Sequence, residues 1–172
     1  MSDLITWLRW ASCYLFIDDC ICFSLVQTLL SMRDKHGQPC IFYALESRSK
    51  KALACLLRHV NDKACLIASN GETVLHVVTK IGDVDMLRSV LPVVDLVGDI
   101  MDRADDDNGR TPLHHAAKFN HVEIAKELLI HGAKLDLVDA TGKTPIFMAA
   151  SKGHASMLQI FVEHGKASEL HD

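Results

Sequence analysis

Gly109-Arg110-Thr111-Pro112-Leu113-His114-His115-Ala116-Ala117 is the stretch from which the fold of this 172-residue chain can be read. Thr111 is placed to cap a helix, and Pro112 to open it, where a missing N–H costs nothing. Leu113, Ala116 and Ala117 then share one helical face at i, i+3 and i+4. The small alanine side chains allow a neighbouring element to come close. Upstream, Asp106-x-x-Gly109 reads as a turn that needs positive φ at the glycine. Downstream, Asn120 breaks the helix. A second helix follows, with Val122, Ile124, Ala125, Leu128 and Leu129 as its apolar stripe, and His131-Gly132 closes it.

The same pattern runs along the chain. Gly37-Gln-Pro-Cys-Ile-Phe, Gly71-Glu-Thr-Val-Leu-His and Gly142-Lys-Thr-Pro-Ile-Phe match Gly109-Arg-Thr-Pro-Leu-His, and the four glycines are 34, 38 and 33 residues apart. An aliphatic or aromatic pair recurs nineteen or twenty residues beyond each glycine: Leu56-Leu57, Val90-Leu91, Leu128-Leu129 and Phe161-Val162. Asp34, Asp106 and Asp139 head their units, and Ala68 stands where a fourth Asp is expected. His164-Gly165 is expected to close the last helix as His131-Gly132 closes the earlier one.

A period near 33 residues with Thr-Pro-Leu-His-x-Ala resembles the ankyrin repeat. Thr111–Ala117 matches in full. Thr144-Pro145-Ile146-Phe147-Met148-Ala149-Ala150 has Phe for His. Thr73–Val78 lacks the Pro and the Ala pair, and Pro39–Ala44 is the most worn. The resemblance implies an all-α solenoid of four stacked helix–turn–helix units with finger-like turns, approximately 34–67, 68–105, 106–138 and 139–172. One unit cannot bury its apolar face alone; stacking does it. The resemblance also implies that His76 and His114 bond back to a turn and order the stack.

Residues 1–33 are expected to form a degenerate first repeat or cap. Ser24-Leu25-Val26-Gln27-Thr28-Leu29-Leu30 follows the pattern of Glu123–Leu129, and Leu4, Trp7, Leu8 and Ala11 have helical spacing. At the other end Met157, Leu158, Ile160, Phe161 and Val162 have no polar capping repeat after them. That favours a piece of a longer array over a complete one.

Composition narrows the function. Apolar residues make up 49 % and charged residues 23 %, which fits a core-forming chain and not a disordered one. A net charge of −4 argues against nucleic-acid binding. The uncharged stretch from Cys20 to Met32 is too short to span a bilayer, so residues 1–32 are the one candidate for membrane contact. Asp3 comes first and Arg9 late, without a basic n-region, so a signal peptide is not expected. The six cysteines at 13, 20, 22, 40, 55 and 65 match no zinc spacing and read as reduced core thiols. Of the ten histidines, His115 and His121 with Glu123 could be imagined as metal ligands, but their spacing crosses a helix break. His131 and His164 suit helix C-termini. Asp102, Asp105, Asp106 and Asp107 lack the alternation of a calcium loop and read as an extended, solvated finger in the longest connection. No nucleophile elbow, phosphate loop or zinc-protease motif is present. The expectation is therefore no enzyme, no cofactor and no metal.

Ankyrin-like stacks are similar to one another in gripping proteins with their finger tips and inner helices on a concave face. Carried over by motif, the candidate partner-binding residues are Glu72, Ile81, Asn108, Arg110, Lys118, Phe119, Lys143 and Lys152. Phe119 and Ile81 are apolar where the pattern expects exposure; each serves a partner or folds onto its neighbours. Arg110, Lys118, Lys143 and Lys152 would form a positive rim that favours an acidic partner. The leading expectation is a monomeric, non-catalytic protein–protein interaction module of the cytoplasm or nucleus. The alternatives are a regulatory or targeting segment of a larger enzyme or membrane protein, and a small ankyrin-type kinase inhibitor.

Overall fold

The computed structural model describes residues 28–168. The expected cap formed by Leu4, Trp7, Leu8 and Ala11, and Cys13, Cys20 and Cys22, lie outside the described residues. So does most of the segment considered for membrane contact. A helical turn at 28–31 comes first, with Leu30 buried. Eight α-helices follow: α1 Cys40–Glu46, α2 Lys50–Leu57, α3 Val74–Ile81, α4 Val84–Val97, α5 Pro112–Phe119, α6 Val122–Ile130, α7 Pro145–Lys152 and α8 Ala155–Ser168. A 3₁₀ turn, Lys63–Leu66, links α2 to the second unit. None of the described helices is long and apolar enough to cross a membrane.

The helices form two layers. α1, α3, α5 and α7 pack side by side in one, and α2, α4, α6 and α8 in the other, each pair joined by a short loop. The apolar core runs between the layers. Leu113, Ala116 and Ala117 of α5 are buried against Ile124, Ala125, Leu128 and Leu129 of α6, and the same register repeats in α3 with α4. Alanine at 116 and 117 matters because the packing distance between helices is set by side-chain size.

Local chemistry explains the element ends. Thr73 and Thr144 accept N3 backbone N–H groups at the starts of α3 and α7, and Pro112 and Pro145 open α5 and α7. Gly82, Asn120 and Gly153 end α3, α5 and α7 in the left-handed conformation. Gly132, with φ +86°, follows α6. His164-Gly165 does not close α8, contrary to expectation: the helix runs through both to Ser168. The glycine there keeps a helical φ, so no left-handed stop exists.

A second correction concerns the acidic run. The extra length between Gly71 and Gly109 lies mainly in α4, which has 14 residues against nine in α6. Val90, Leu91 and Val94 bury as the helix continues. The third turn is headed by Asp105, not Asp106, and carries one residue more than the others. Its closing bond runs from Asp105 N–H to the Arg110 carbonyl at 2.8 Å. The matching bonds are Asp34 to Gln38, Ala68 to Glu72 and Asp139 to Lys143. The four acids therefore part company instead of forming one solvated finger. Asp105 is buried, Asp102 accepts the Lys134 N–H at 2.9 Å, and Asp106 and Asp107 are exposed.

Candidate interaction surface

The turns line up along one edge through a ladder of backbone bonds. Ser69 N–H donates to the Gly37 carbonyl at 3.3 Å, Asp106 N–H to Asn70 at 3.1 Å, and Ala140 N–H to Asn108 at 2.9 Å. Gly109 lies at such a joint. Its φ is +63°, and a Cβ there would stand 3.0 Å from the Ala140 nitrogen. Arg33 adds a staple from the first turn to the segment that leads into the second unit. Its guanidinium donates to the Gly37 and Ile67 carbonyls at 2.9 Å and to Ala64 at 2.7 Å.

The repeat histidines tie each turn to the next. Thr73 N–H donates to His76 Nδ1 at 3.1 Å, which places the ring proton on Nε2; that atom donates to the Arg110 carbonyl at 2.8 Å. His114 does the same between Thr111 and the Lys143 carbonyl, at 3.2 and 2.9 Å. Burial lowers the pKa of both rings. At the same register the first unit has Phe42, wholly buried, and the fourth has Phe147, 55 % exposed.

Each head aspartate uses one oxygen for the backbone of its turn and the other for a side chain. Asp34 Oδ1 accepts the His36 and Gln38 N–H groups, and Oδ2 accepts the Tyr43 hydroxyl at 2.7 Å. Asp105 Oδ1 accepts from Asn108 and Arg110, and Oδ2 accepts from His115 Nε2 at 3.0 Å. Burial pushes the Asp105 carboxyl up, but His115 and the two N–H donors outweigh it and hold it at about 2. Burial drives His115 down to about 4 despite that aspartate, so the imidazole is neutral at pH 7. Asp139 Oδ1 accepts from Thr141 and Lys143. Its other oxygen has Arg110 Nε at 3.5 Å, an ion pair just outside hydrogen-bond range. Burial raises its pKa, but Thr141 and the turn N–H groups bring it to about 2.

His76, Asp105 and His115 bring ligand-type atoms within 4.8 Å of one another. Every such atom except His115 Nδ1 already has a partner, so a cation would have to displace the bonds that order the third turn. His115, His121 and Glu123 are not brought together as a ligand set. His121 lies over Gly82, and Glu123 pairs with Lys126.

The candidate partner residues have unlike environments. Asn108, Lys143 and Lys152 are exposed, and Phe119 is 43 % exposed. Lys118 is half-buried, with its Nζ 5.1 Å from the Phe119 ring centroid. Phe119 also stacks on His115 at 6.3 Å and leans toward His121 at 6.0 Å. Arg110 turns inward to Asp139. The Glu72 side chain is only 13 % exposed and meets Lys80 at 2.7 Å. Ile81 is half-buried and packs on the core. The motif reading passed over Phe147, whose ring has Lys143 Nζ 5.9 Å away. Its signal was present in the sequence as the Phe-for-His departure. It also passed over Leu96 and Ile130, 87 % and 76 % exposed on the outer layer.

Comparison with known proteins agrees with this geometry. A family model describing ankyrin repeats in three copies matches residues 41–139 and 94–172. The B-cell lymphoma 3 protein homolog of Mus musculus is 36 % identical over 106 residues, 60 % of this chain and 23 % of that protein. Rabankyrin-5 of Mus musculus is 29 % identical over 107 residues, 62 % of this chain and 9 % of that protein; the Homo sapiens form is 27 % identical. The chain thus spans less than a quarter of the length of these relatives. Ankyrin repeats generally mediate protein–protein contacts and are generally non-catalytic. Two layers of paired helices, turns aligned on one edge and the matched repeat units together place this chain in the ankyrin-repeat family.

Proposed function

We propose that this chain is a non-catalytic module that binds a protein through the side of the stack made by its turns and its first-layer helices. The carrying observation is the ladder of turn-to-turn bonds, which holds Asn108, Lys143 and the helix ends bearing Phe119 and Lys152 on one rigid support. Side chains presented on rigid elements lose little entropy on binding. We read it as a monomer of the cytoplasm or nucleus that needs no metal or cofactor. Glu72, Ile81 and Arg110 contribute by shaping this support, through Lys80, the core and Asp139 respectively.

The test is cross-linking of the purified chain to the partners it captures. The parent is compared with a triple variant, Asn108→Ala, Phe119→Ala and Lys143→Ala. Cross-links should map to the turns and first-layer helices, and capture should drop in the variant. Unchanged capture, with cross-links confined to α2, α4, α6 and α8, would show the face to be wrongly chosen. A second reading, a regulatory or targeting segment of a larger protein, is favoured by the relatives' much greater length.

A further inference from the structure

We infer that the segment held at the third and fourth repeats is acidic and carries an apolar side chain, which seats on Phe119 while its carboxylates meet Lys118 and Lys152. This rests on the protein-binding reading and adds the chemistry of what is bound.

Charge is the first support. Among the described residues, Lys50, Lys80, Arg88 and Lys126 each face a carboxylate at 2.6–2.8 Å. Lys118, Lys143 and Lys152 face no described carboxylate within ion-pair distance, as is also true of Lys35, Arg48, Arg58, Lys63, Arg103 and Lys134; of these, Lys118, Lys143 and Lys152 belong to α5, the turn that opens α7, and α7. The aspartates heading the same two units are buried and occupied, Asp105 by His115 and its own turn, Asp139 by Arg110 and its own turn. The exposed Asp106 and Asp107 belong to the turn, at the other end of the eight-residue α5. That is roughly 12 Å from Lys118 along the helix axis, beyond the screening length at physiological salt. The positive charge at the foot of α5 and α7 is therefore left for a partner to neutralise.

Placement is the second support. His154 Nε2 lies 3.4 Å from the Lys118 carbonyl, which sets the end of α7, with Lys152, against the end of α5. The end of α5, with Lys118 and Phe119, and the end of α7, with Lys152, are thus neighbours across two repeats. Phe119 is the third support. Its ring is held by His115, His121 and Lys118 yet stays 43 % exposed. An aromatic side chain already fixed by its neighbours is the type that anchors interfaces.

The experiment is fluorescence anisotropy on the full chain with three labelled synthetic peptides of about twelve residues. One is glutamate-rich with a central leucine, one has serine for that leucine, and one has lysine for every glutamate. The first should bind and weaken with added salt, and the second should bind about tenfold more weakly. The lysine peptide should not bind. Lys118→Glu with Lys152→Glu should abolish binding of the first peptide, and Phe119→Ala should weaken it about tenfold. Phe147→Ala, which removes the other exposed Phe–Lys pair, should leave it unchanged. Circular dichroism checks that each variant is folded, and the double lysine variant changes only side chains outside the core. The inference fails if the first peptide does not bind, if the lysine peptide binds equally, or if the Lys118/Lys152 reversal has no effect. If peptide binding fails while partner capture still depends on Phe119, the acidic chemistry is wrong and the interaction module stands.

Discussion

His115 sits beside the carboxylate of Asp105 and is nevertheless uncharged at neutral pH. Desolvation of a ring that is 3 % exposed outweighs one nearby anion. The consequence for stability has a definite sign. The folded pKa, about 4, lies below the ordinary imidazole value of 6.5. Below pH 6.5 the unfolded chain takes up a proton that the folded chain refuses, so stability falls as pH drops from 6.5 to 4. The full loss is about 3 kcal/mol. Asp105 acts in a separate window: its contribution is complete above the ordinary 3.8 and is lost as pH falls through about 2. Urea unfolding at pH 7.5 and pH 4.5 should therefore show a smaller drop for His115→Gln than for the parent, by roughly 2 kcal/mol. An equal drop would mean that His115 is charged in the fold. The four units also match head to partner within one chain. Asp34 has Tyr43 and Asp105 has His115. Ala68, with no carboxylate, has apolar Val77 at that register, both buried. Asp139 has Met148 there, which cannot donate, and Arg110 of the preceding turn replaces it.

Each turn and the helix after it behave as one element because the repeat histidine serves both. His114 accepts the buried Thr111 N–H and donates to the turn beyond it. His114→Phe should fit sterically, since Phe42 occupies the register buried in the first unit. It leaves the Thr111 N–H without its acceptor, at a cost of about 1–3 kcal/mol in urea unfolding. Amide exchange should quicken at Thr111 and around Lys143. Gly109→Ala attacks the same joint from the backbone. The left-handed φ and the 3.0 Å approach to the Ala140 nitrogen should cost about 1–3 kcal/mol, read from the same unfolding curve. Much of this was legible beforehand: threonine caps, Pro112 and Pro145, Gly132 after α6, the left-handed stop at Asn120. The head of the third turn was not. Asp105 and Asp106 are both aspartate, and they are told apart by the folded turn, in which Asp105 is buried, bonds its N–H to Arg110 and meets His115.

At the scale of the whole molecule, stability is carried between neighbours. α5 meets α3 and α7, and α6 meets α4 and α8. Leu128→Ala in α6 should cost about 2–5 kcal/mol. In hydrogen exchange the loss should spread through α4 to α8 and fade toward α1 and α2, as expected for a one-dimensional stack. Uniform deprotection would instead mark a single cooperative core. The Arg88–Glu127 pair joins adjacent outer helices at 2.6 Å, but the exposed guanidinium is screened by water and the pair should add little to stability.

By itself the amino-acid sequence determined that two-helix units recur and which face of each helix is apolar. Periodicity, caps and turn glycines are local, and local rules suffice to read them. Exposure and pairing were decided by the tertiary structure alone. Phe42 and Phe147 share a register, yet one is sealed beneath α3 and the other is largely open. Arg110 reads as a protruding cation in the motif but turns in to Asp139, while Lys118 and Lys152, 34 residues apart, end up at the foot of one helix pair. Burial and charge neutralisation depend on what a neighbouring unit brings close, and no single unit's sequence contains its neighbour.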